Sequence, residues 1–275
     1  MYQIRRLDLN IAYACNLACK GCLSLSDFDR KGVMPLDDIK ESIDTWKEKV
    51  DPKMLSVFGG EPLLHPKLFD IFDYIKKAWP DTTIRLITNG YLLHRLDYAR
   101  WFDYTPFEMQ VSIHRLDHEH IVTKNIANLV KQKSDWQIVK TSEGGEGQHH
   151  MYEWHRPGFK VWKGKFGQFV IPYNYEGNQL VPFKSDPAKA HSICGNPDVP
   201  ILYKNKLYKC APIANLLDLP NTKGFRYQGI TTEDNIKKFV SYIGKPESIC
   251  SMCPESRSHS IQHYDKGEVH VKHLD

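Results

Sequence analysis

Between residues 4 and 142 short apolar runs alternate with longer stretches in which apolar and polar residues recur at helical spacing. The runs 4–14 (IRRLDLNIAYA), 54–58 (MLSVF), 82–88 (TTIRLIT), 107–114 (FEMQVSIH) and 136–142 (WQIVKTS) predict strands. Between them, 37–50, 67–79, 92–102 and 118–133 predict amphipathic helices. Strand then helix, repeated, argues for a parallel sheet with right-handed crossovers. With a sixth strand expected in 166–173 (FGQFVIPY), the fold class is α/β, a partial (β/α)6 TIM-like barrel. Such a barrel keeps its chemistry at the C-terminal ends of its strands.

Residues 143–165 break the rhythm with glycines, adjacent histidines and aromatics, and they read as a mobile loop. Past about 183–190 proline and glycine become frequent and the strands shorten. The chain therefore divides into a barrel over 1–185, a small cysteine-rich C-terminal domain over 186–260, and a charged tail over 261–275.

Composition narrows the functional classes. No run of eighteen apolar residues occurs, and the opening MYQIRRLDLN has no apolar signal region, so a cytoplasmic protein with no membrane partner is expected. The net charge of +4 on 275 residues comes without a Lys/Arg stripe, so a nucleic-acid partner is not expected either. Seven cysteines in a reducing compartment argue against a disulfide framework. Three stand early (15, 19, 22) and four late (194, 210, 250, 253), a clustering that points to metal ligation.

Cys15, Cys19 and Cys22 form C-x3-C-x2-C directly after the first predicted strand. Three close thiolates on an iron–sulfur cubane leave one iron open for a ligand; a zinc site lacking its fourth ligand is the competing reading. CNLACKGC resembles the signature of the radical S-adenosylmethionine (radical SAM) superfamily. The resemblance implies a 4Fe-4S cluster whose open iron holds S-adenosylmethionine, cleavage of that cofactor to a 5′-deoxyadenosyl radical, and abstraction of a substrate hydrogen. Many members have an aromatic residue before the third cysteine, where this chain has Gly21. Gly59-Gly60-Glu61-Pro62, at the end of the second strand, resembles the superfamily's GGEP motif, which implies that its backbone and glutamate receive the methionyl ammonium. Thr88-Asn89-Gly90 resembles a further segment near the cofactor. In the fourth strand Gln110, Ser112 and His114 alternate with apolar neighbours, unusual for a parallel strand. By resemblance Ser112 contacts the methionyl carboxylate or the ribose; His114 reads equally as a site residue or a structural histidine.

Cys194 and Cys210 flank a predicted hairpin with Asn205 at its turn, and Cys250 and Cys253 form a later C-x2-C. Four thiolates suit zinc or a cubane alike. Behind the barrel motifs the arrangement resembles a twitch domain, a shortened SPASM module, which implies a second, auxiliary 4Fe-4S cluster. The layout is similar to that of 2-deoxy-scyllo-inosamine dehydrogenases. That implies oxidation or rearrangement of a small-molecule substrate (a sugar, cyclitol or nucleotide), with the auxiliary cluster as electron acceptor and a flavodoxin- or ferredoxin-type electron donor. A SPASM-type peptide maturase and a non-enzymatic metal-binding module are the alternatives. His149, His150, His155, Arg156 and Lys160 read as solvated surface groups.

Overall fold

The computed structural model describes residues 1–141, 148–166, 168–262 and 269–271. The expected loop residues 143–147 and most of the expected tail lie outside the described residues. A nine-stranded sheet forms the centre. Its strands in chain order are β1 (Leu7–Ala12), β2 (Met54–Gly59), β3 (Thr83–Thr88), β4 (Phe107–Ile113) and β5 (Gln137–Thr141). They continue with β6 (Gln148–Arg156), β7 (Phe159–Phe166), β8 (Ile201–Tyr203) and β9 (Lys206–Tyr208). In space they run β9-β8-β1-β2-β3-β4-β7-β6-β5. From β8 to β7 all neighbours are parallel, and antiparallel hairpins finish both edges. The fold is therefore α/β around a mostly parallel open sheet.

Helix α1 (Leu36–Trp46) begins one residue before its predicted span, and α2 (Leu68–Ala78) and α3 (Glu119–Val130) fall within theirs. Each turns one apolar stripe inward: Ile39, Ile43 and Trp46 in α1, and Leu68, Ile71, Phe72 and Ile75 in α2. That spacing of three and four residues is what buries an amphipathic helix. In α3 the stripe is Val122, Ile126 and Leu129, interrupted by a buried Asn125. Asn125 is satisfied, since Nδ2 donates to the carbonyls of Gly90 and Tyr91 at 3.0 and 2.9 Å. It thereby holds the loop after β3, which matters for the site.

Several expectations are corrected. Residues 148–166 are not a loop: β6 and β7 form a hairpin there, and β7 takes the parallel place beside β4. The signal was Pro157-Gly158 between two alternating runs, with Gly158 at φ +70°, as a tight turn with glycine third requires. The expected fifth strand, β5, is an antiparallel edge strand with Ile138 and Val139 exposed. The expected sixth strand is a short piece, Gln168–Val170, paired with Ser260–Gln262 outside the central sheet. Residues 92–102 give two short 3-10 segments, Leu93–Arg95 and Ala99–Tyr104, in place of a helix. Asp97 breaks the run by accepting the Ala99 amide through its side chain at 2.9 Å, the local competition that favours turns.

The hairpin around Asn205 is present, with Lys204 and Asn205 both at positive φ (48° and 63°), as a two-residue primed turn demands. It joins the central sheet, with β8 parallel to β1. Short helices α4 (Pro187–Ser192), α5 (Ala211–Leu216) and α6 (Ile236–Tyr242) surround the late cysteines.

Candidate functional site

The ends of β1, β2 and β3 meet through backbone and buried side chains. The Gly60 amide donates to the Ala12 carbonyl at 2.7 Å and the Glu61 amide to the Ala14 carbonyl at 2.9 Å. Glycine is required for that approach, because a Cβ on Gly60 would overlap the Ala14 carbonyl and one on Gly59 would come within 2.8 Å of Asn10 Oδ1. The motif after β2 is thus stitched onto the strand end that leads into Cys15.

Glu61 is fully buried. Its carboxylate accepts from the Leu63 amide at 3.0 Å, the Thr88 hydroxyl at 2.6 Å and the Asn89 amide at 2.8 Å. Burial pushes its pKa up to about 7, while the three donors work in the opposite direction. The side chain therefore ties the loop after β2 to the loop after β3. Pro62 opens the 3-10 turn Pro62–Leu64, where its missing N–H costs nothing.

Asn89 continues the network. Its Nδ2 donates to Asn16 Oδ1 at 2.7 Å and lies 3.7 Å from Cys15 Sγ, and its Oδ1 accepts the Tyr91 amide at 3.2 Å. Asn16 is buried, and its Nδ2 has no partner among the described residues. An orphaned buried donor beside a thiol is the kind of group that a bound ligand satisfies.

Cys19 is buried, with Cys15 and Cys22 half-buried beside it. Burial, then the negative charge of neighbouring groups, pushes the Cys15 and Cys19 thiols well above the ordinary range. Cys15 and Cys19 thus need a cationic partner to be held as thiolates, and with Cys22 beside them the donor set fits a thiolate-ligated cluster. Gly21 adopts φ +71°, a left-handed conformation, and a Cβ there would lie 3.4 Å from Ile171 Cγ1 and 3.6 Å from Phe169 Cβ. The conformation accounts for glycine at a place where many members of the resembled superfamily have an aromatic residue. Phe169 also faces His114, at 5.4 Å between rings, with Phe166 on the same ring at 6.3 Å. Ser112 is buried in β4 opposite Gly164.

The late cysteines gather as a second group. Burial raises Cys210 up to about 12, Cys253 well above the ordinary thiol range, and Cys194, the exposed one, above its ordinary value. Lys209, buried next to Cys210, organises the surroundings. Its Nζ donates to the Tyr242 and Lys245 carbonyls at 3.1 and 2.8 Å and pairs with Glu247 Oε1 at 2.7 Å. The Glu247 carbonyl in turn accepts the Cys250 amide at 2.8 Å. On the other side Phe183 and Ser185 donate to the Met252 and Ser251 carbonyls at 2.9 and 3.1 Å. Cys210, Cys194 and Cys250 each act electrostatically on Cys253, so the four thiols are neighbours. Among the described residues no three His, Cys, Asp or Glu side chains converge on a single-ion site.

Asn10, Asn16, Arg30, Lys209 and Asn215 were not anticipated. Asn10 was legible as a polar residue inside an apolar strand; the other four bind partners distant in sequence that only folding supplies. His155, expected to be solvated, is half-buried and bonds Glu153, which also pairs with Lys160 at 3.1 Å. Arg156 pairs with Asp135 at 3.0 Å.

Residues 9–141 match the model of the radical SAM superfamily. A GTP 3′,8-cyclase of Pectobacterium atrosepticum is 32% identical over 116 residues, 40% of this chain and 34% of that protein. A GTP 3′,8-cyclase of Microcystis aeruginosa is 35% identical over 101 residues, 35% of this chain and 30% of that protein. The chain thus spans about a third of the length of these curated relatives. The solved structure of BtrN in complex with AdoMet and 2-DOIA shares the fold at a TM-score of 0.51 and 13% identity, over 93% of this chain and 96% of that one. No described helix is long and apolar enough to cross a membrane. The matched span carries the loops after β1, β2 and β3, and residues 9–141 are a radical SAM superfamily domain, the domain of an enzyme.

Proposed function

We propose that the chain is a radical S-adenosylmethionine enzyme that oxidises or rearranges a small polar metabolite in the cytoplasm. Cys15, Cys19 and Cys22 hold the 4Fe-4S cluster, and Cys194, Cys210, Cys250 and Cys253 hold an auxiliary 4Fe-4S cluster in a twitch-like domain. The observation that carries the reading is the contact of Asn89 with both Asn16 and Cys15, which joins the loop after β3 to the thiol loop. A cluster held there would supply the reducing electron for cleavage of S-adenosylmethionine, and with it hydrogen-abstracting radical chemistry.

The chain's own residues position the cofactor. Gly59 and Gly60 keep the backbone low against the thiol loop, and Glu61 fixes both flanking loops by accepting three hydrogen bonds. Asn16 offers a buried amide donor beside Cys15. Ser112, near the end of β4, and His114, just after it, would contact the methionyl group or ribose. Cys194, Cys210, Cys250 and Cys253 would hold an auxiliary cluster able to serve as electron acceptor, and a flavodoxin- or ferredoxin-type protein would be the electron donor. Among substrates a nucleotide gains weight from the two cyclase relatives.

Anaerobic reconstitution with iron and sulfide, followed by S-adenosylmethionine and dithionite, tests this. The expected results are release of 5′-deoxyadenosine and about eight irons per chain, four for each cubane. No 5′-deoxyadenosine would overturn the enzymatic reading, and four irons would remove the auxiliary cluster.

A further inference from the structure

Between the two cysteine groups lies a buried polar assembly that neither group needs for ligation. Asn215, on α5, is fully buried, as is Asn10 on β1. Asn10 Nδ2 donates to Asn215 Oδ1 at 2.8 Å, and Arg30 Nη1 donates to the same oxygen at 3.0 Å. Asn215 Nδ2 donates in turn to the Leu23 carbonyl, directly after Cys22, at 3.1 Å. Arg30 Nη1 also donates to the Ser24 carbonyl at 3.2 Å. The other arm of its guanidinium pairs with Asp218 at 3.0 Å. Asp218 accepts from Tyr203 and from Lys204 as well, and Arg30 stacks over Tyr13 at 4.9 Å.

The placement is specific. Cys210 is the residue that caps the N-terminus of α5, and Asn215 sits near the other end of that helix, about 7.5 Å further along at 1.5 Å per residue. One end of α5 therefore carries a thiol of the late group, and the other end grips the carbonyl next to a thiol of the early group. Two carbonyls of the early loop, from Leu23 and Ser24, are held by side chains whose other bonds go to β1 and to the segment after α5. A buried amide left unpaired is destabilising, so the arrangement resists local change.

We infer that Asn215 and Arg30 are positioning residues, a polar clamp that fixes the Cys22 side of the first thiol loop against the helix carrying Cys210. The inference rests on reading both groups as cluster sites. The clamp keeps the two sites at one separation while the substrate comes and goes. It orders the segment after Cys22 without touching a cluster.

The test compares anaerobically purified parent protein with Asn215→Leu. Hydrogen exchange of the amides of 16–25 should accelerate roughly tenfold, the change that 1.4 kcal/mol produces, with α1 and α2 exchanging as in the parent. With both clusters reduced, the spin–spin broadening between them should change, while iron content stays at the parent level. Equal exchange in 16–25, or acceleration spread evenly over the chain, would overturn the clamp. Should Asn215→Leu fail to fold, Arg30→Lys keeps the charge but cannot span Ser24, Asn215 and Asp218 together, and the same local acceleration is expected. Parent protein holding four irons would remove the auxiliary cluster alone, and the exchange comparison would still decide the clamp.

Discussion

Asn89 donates from Nδ2 to the side-chain oxygen of Asn16 at 2.7 Å, across a separation of 73 residues. That bond places the end of β3 against the residue following Cys15, so the loop cannot shift away without uncovering two buried amides. Neither side chain is a thiol, yet together they decide where Cys15 can stand.

Asn89→Ala should therefore loosen the thiol loop before it unfolds the protein. It leaves the Asn16 oxygen and the Tyr91 amide without their partners, which costs about 1–3 kcal/mol. The expected result is a lower urea midpoint and several-fold faster loss of iron absorbance to a chelator. Unchanged iron retention in a variant of lowered stability would show that the bond serves the fold alone.

The pH dependence follows from Glu61, whose pKa stands near 7 in the fold against an ordinary value of 4.5. The folded state binds the proton more tightly than the unfolded one between these values. Stability is therefore highest below the lower value, falls as pH rises through the window, and levels off above about 7, a total of about 3 kcal/mol. Glu61→Gln carries no titrating group, so its unfolding free energy in the metal-free protein should lack this slope. Urea unfolding at several pH values between 5 and 8 checks it; parallel curves for parent and variant would refute the assignment.

Much of this site could be read in the chain before folding. The cysteine spacing, Gly59-Gly60-Glu61-Pro62 and Thr88-Asn89-Gly90 are local patterns, and the structure brings these three loops together. The hairpin at Lys204-Asn205 was equally local. Legibility failed where a strand's place depends on its partner. Residues 159–166 alternate Phe159 and Val161 inward with Lys160 and Trp162, but their histidine- and glycine-rich approach suggested a loop. Their parallel seat beside β4 is set by long-range register. Residues 136–142 have strand composition, yet nothing local tells an edge position from a central one. Arg30, Lys209 and Asn215 look like ordinary polar residues in sequence, because their partners lie far along the chain.

Gly60→Ala probes the close approach directly. The added methyl would collide with the Ala14 carbonyl, a backbone atom that cannot swing aside, so the strand end must move. Overpacking of this kind costs about 1–3 kcal/mol, and here the displaced segment is the entrance to Cys15. A lower thermal midpoint with a marked loss of S-adenosylmethionine affinity is expected by calorimetry of the reconstituted protein. Binding equal to the parent would mean that the glycine is not required for the cofactor.

Lys209→Met separates the second thiol group from the first. The buried ammonium holds the carbonyls at the end of α6 and the carboxylate of Glu247, whose own carbonyl accepts the Cys250 amide. Methionine keeps the stem's packing but leaves those acceptors unpaired, and Glu247, being partly exposed, recovers water. The net cost is about 1–3 kcal/mol, concentrated on the segment that carries Cys250 and Cys253. Iron should fall by up to half, with the remaining half still supporting 5′-deoxyadenosine release, because no bond from Lys209 reaches the loop of Cys15. Loss of both pools together would contradict the division of labour between the two cysteine groups, and full retention would show that Lys209 does not organise the second.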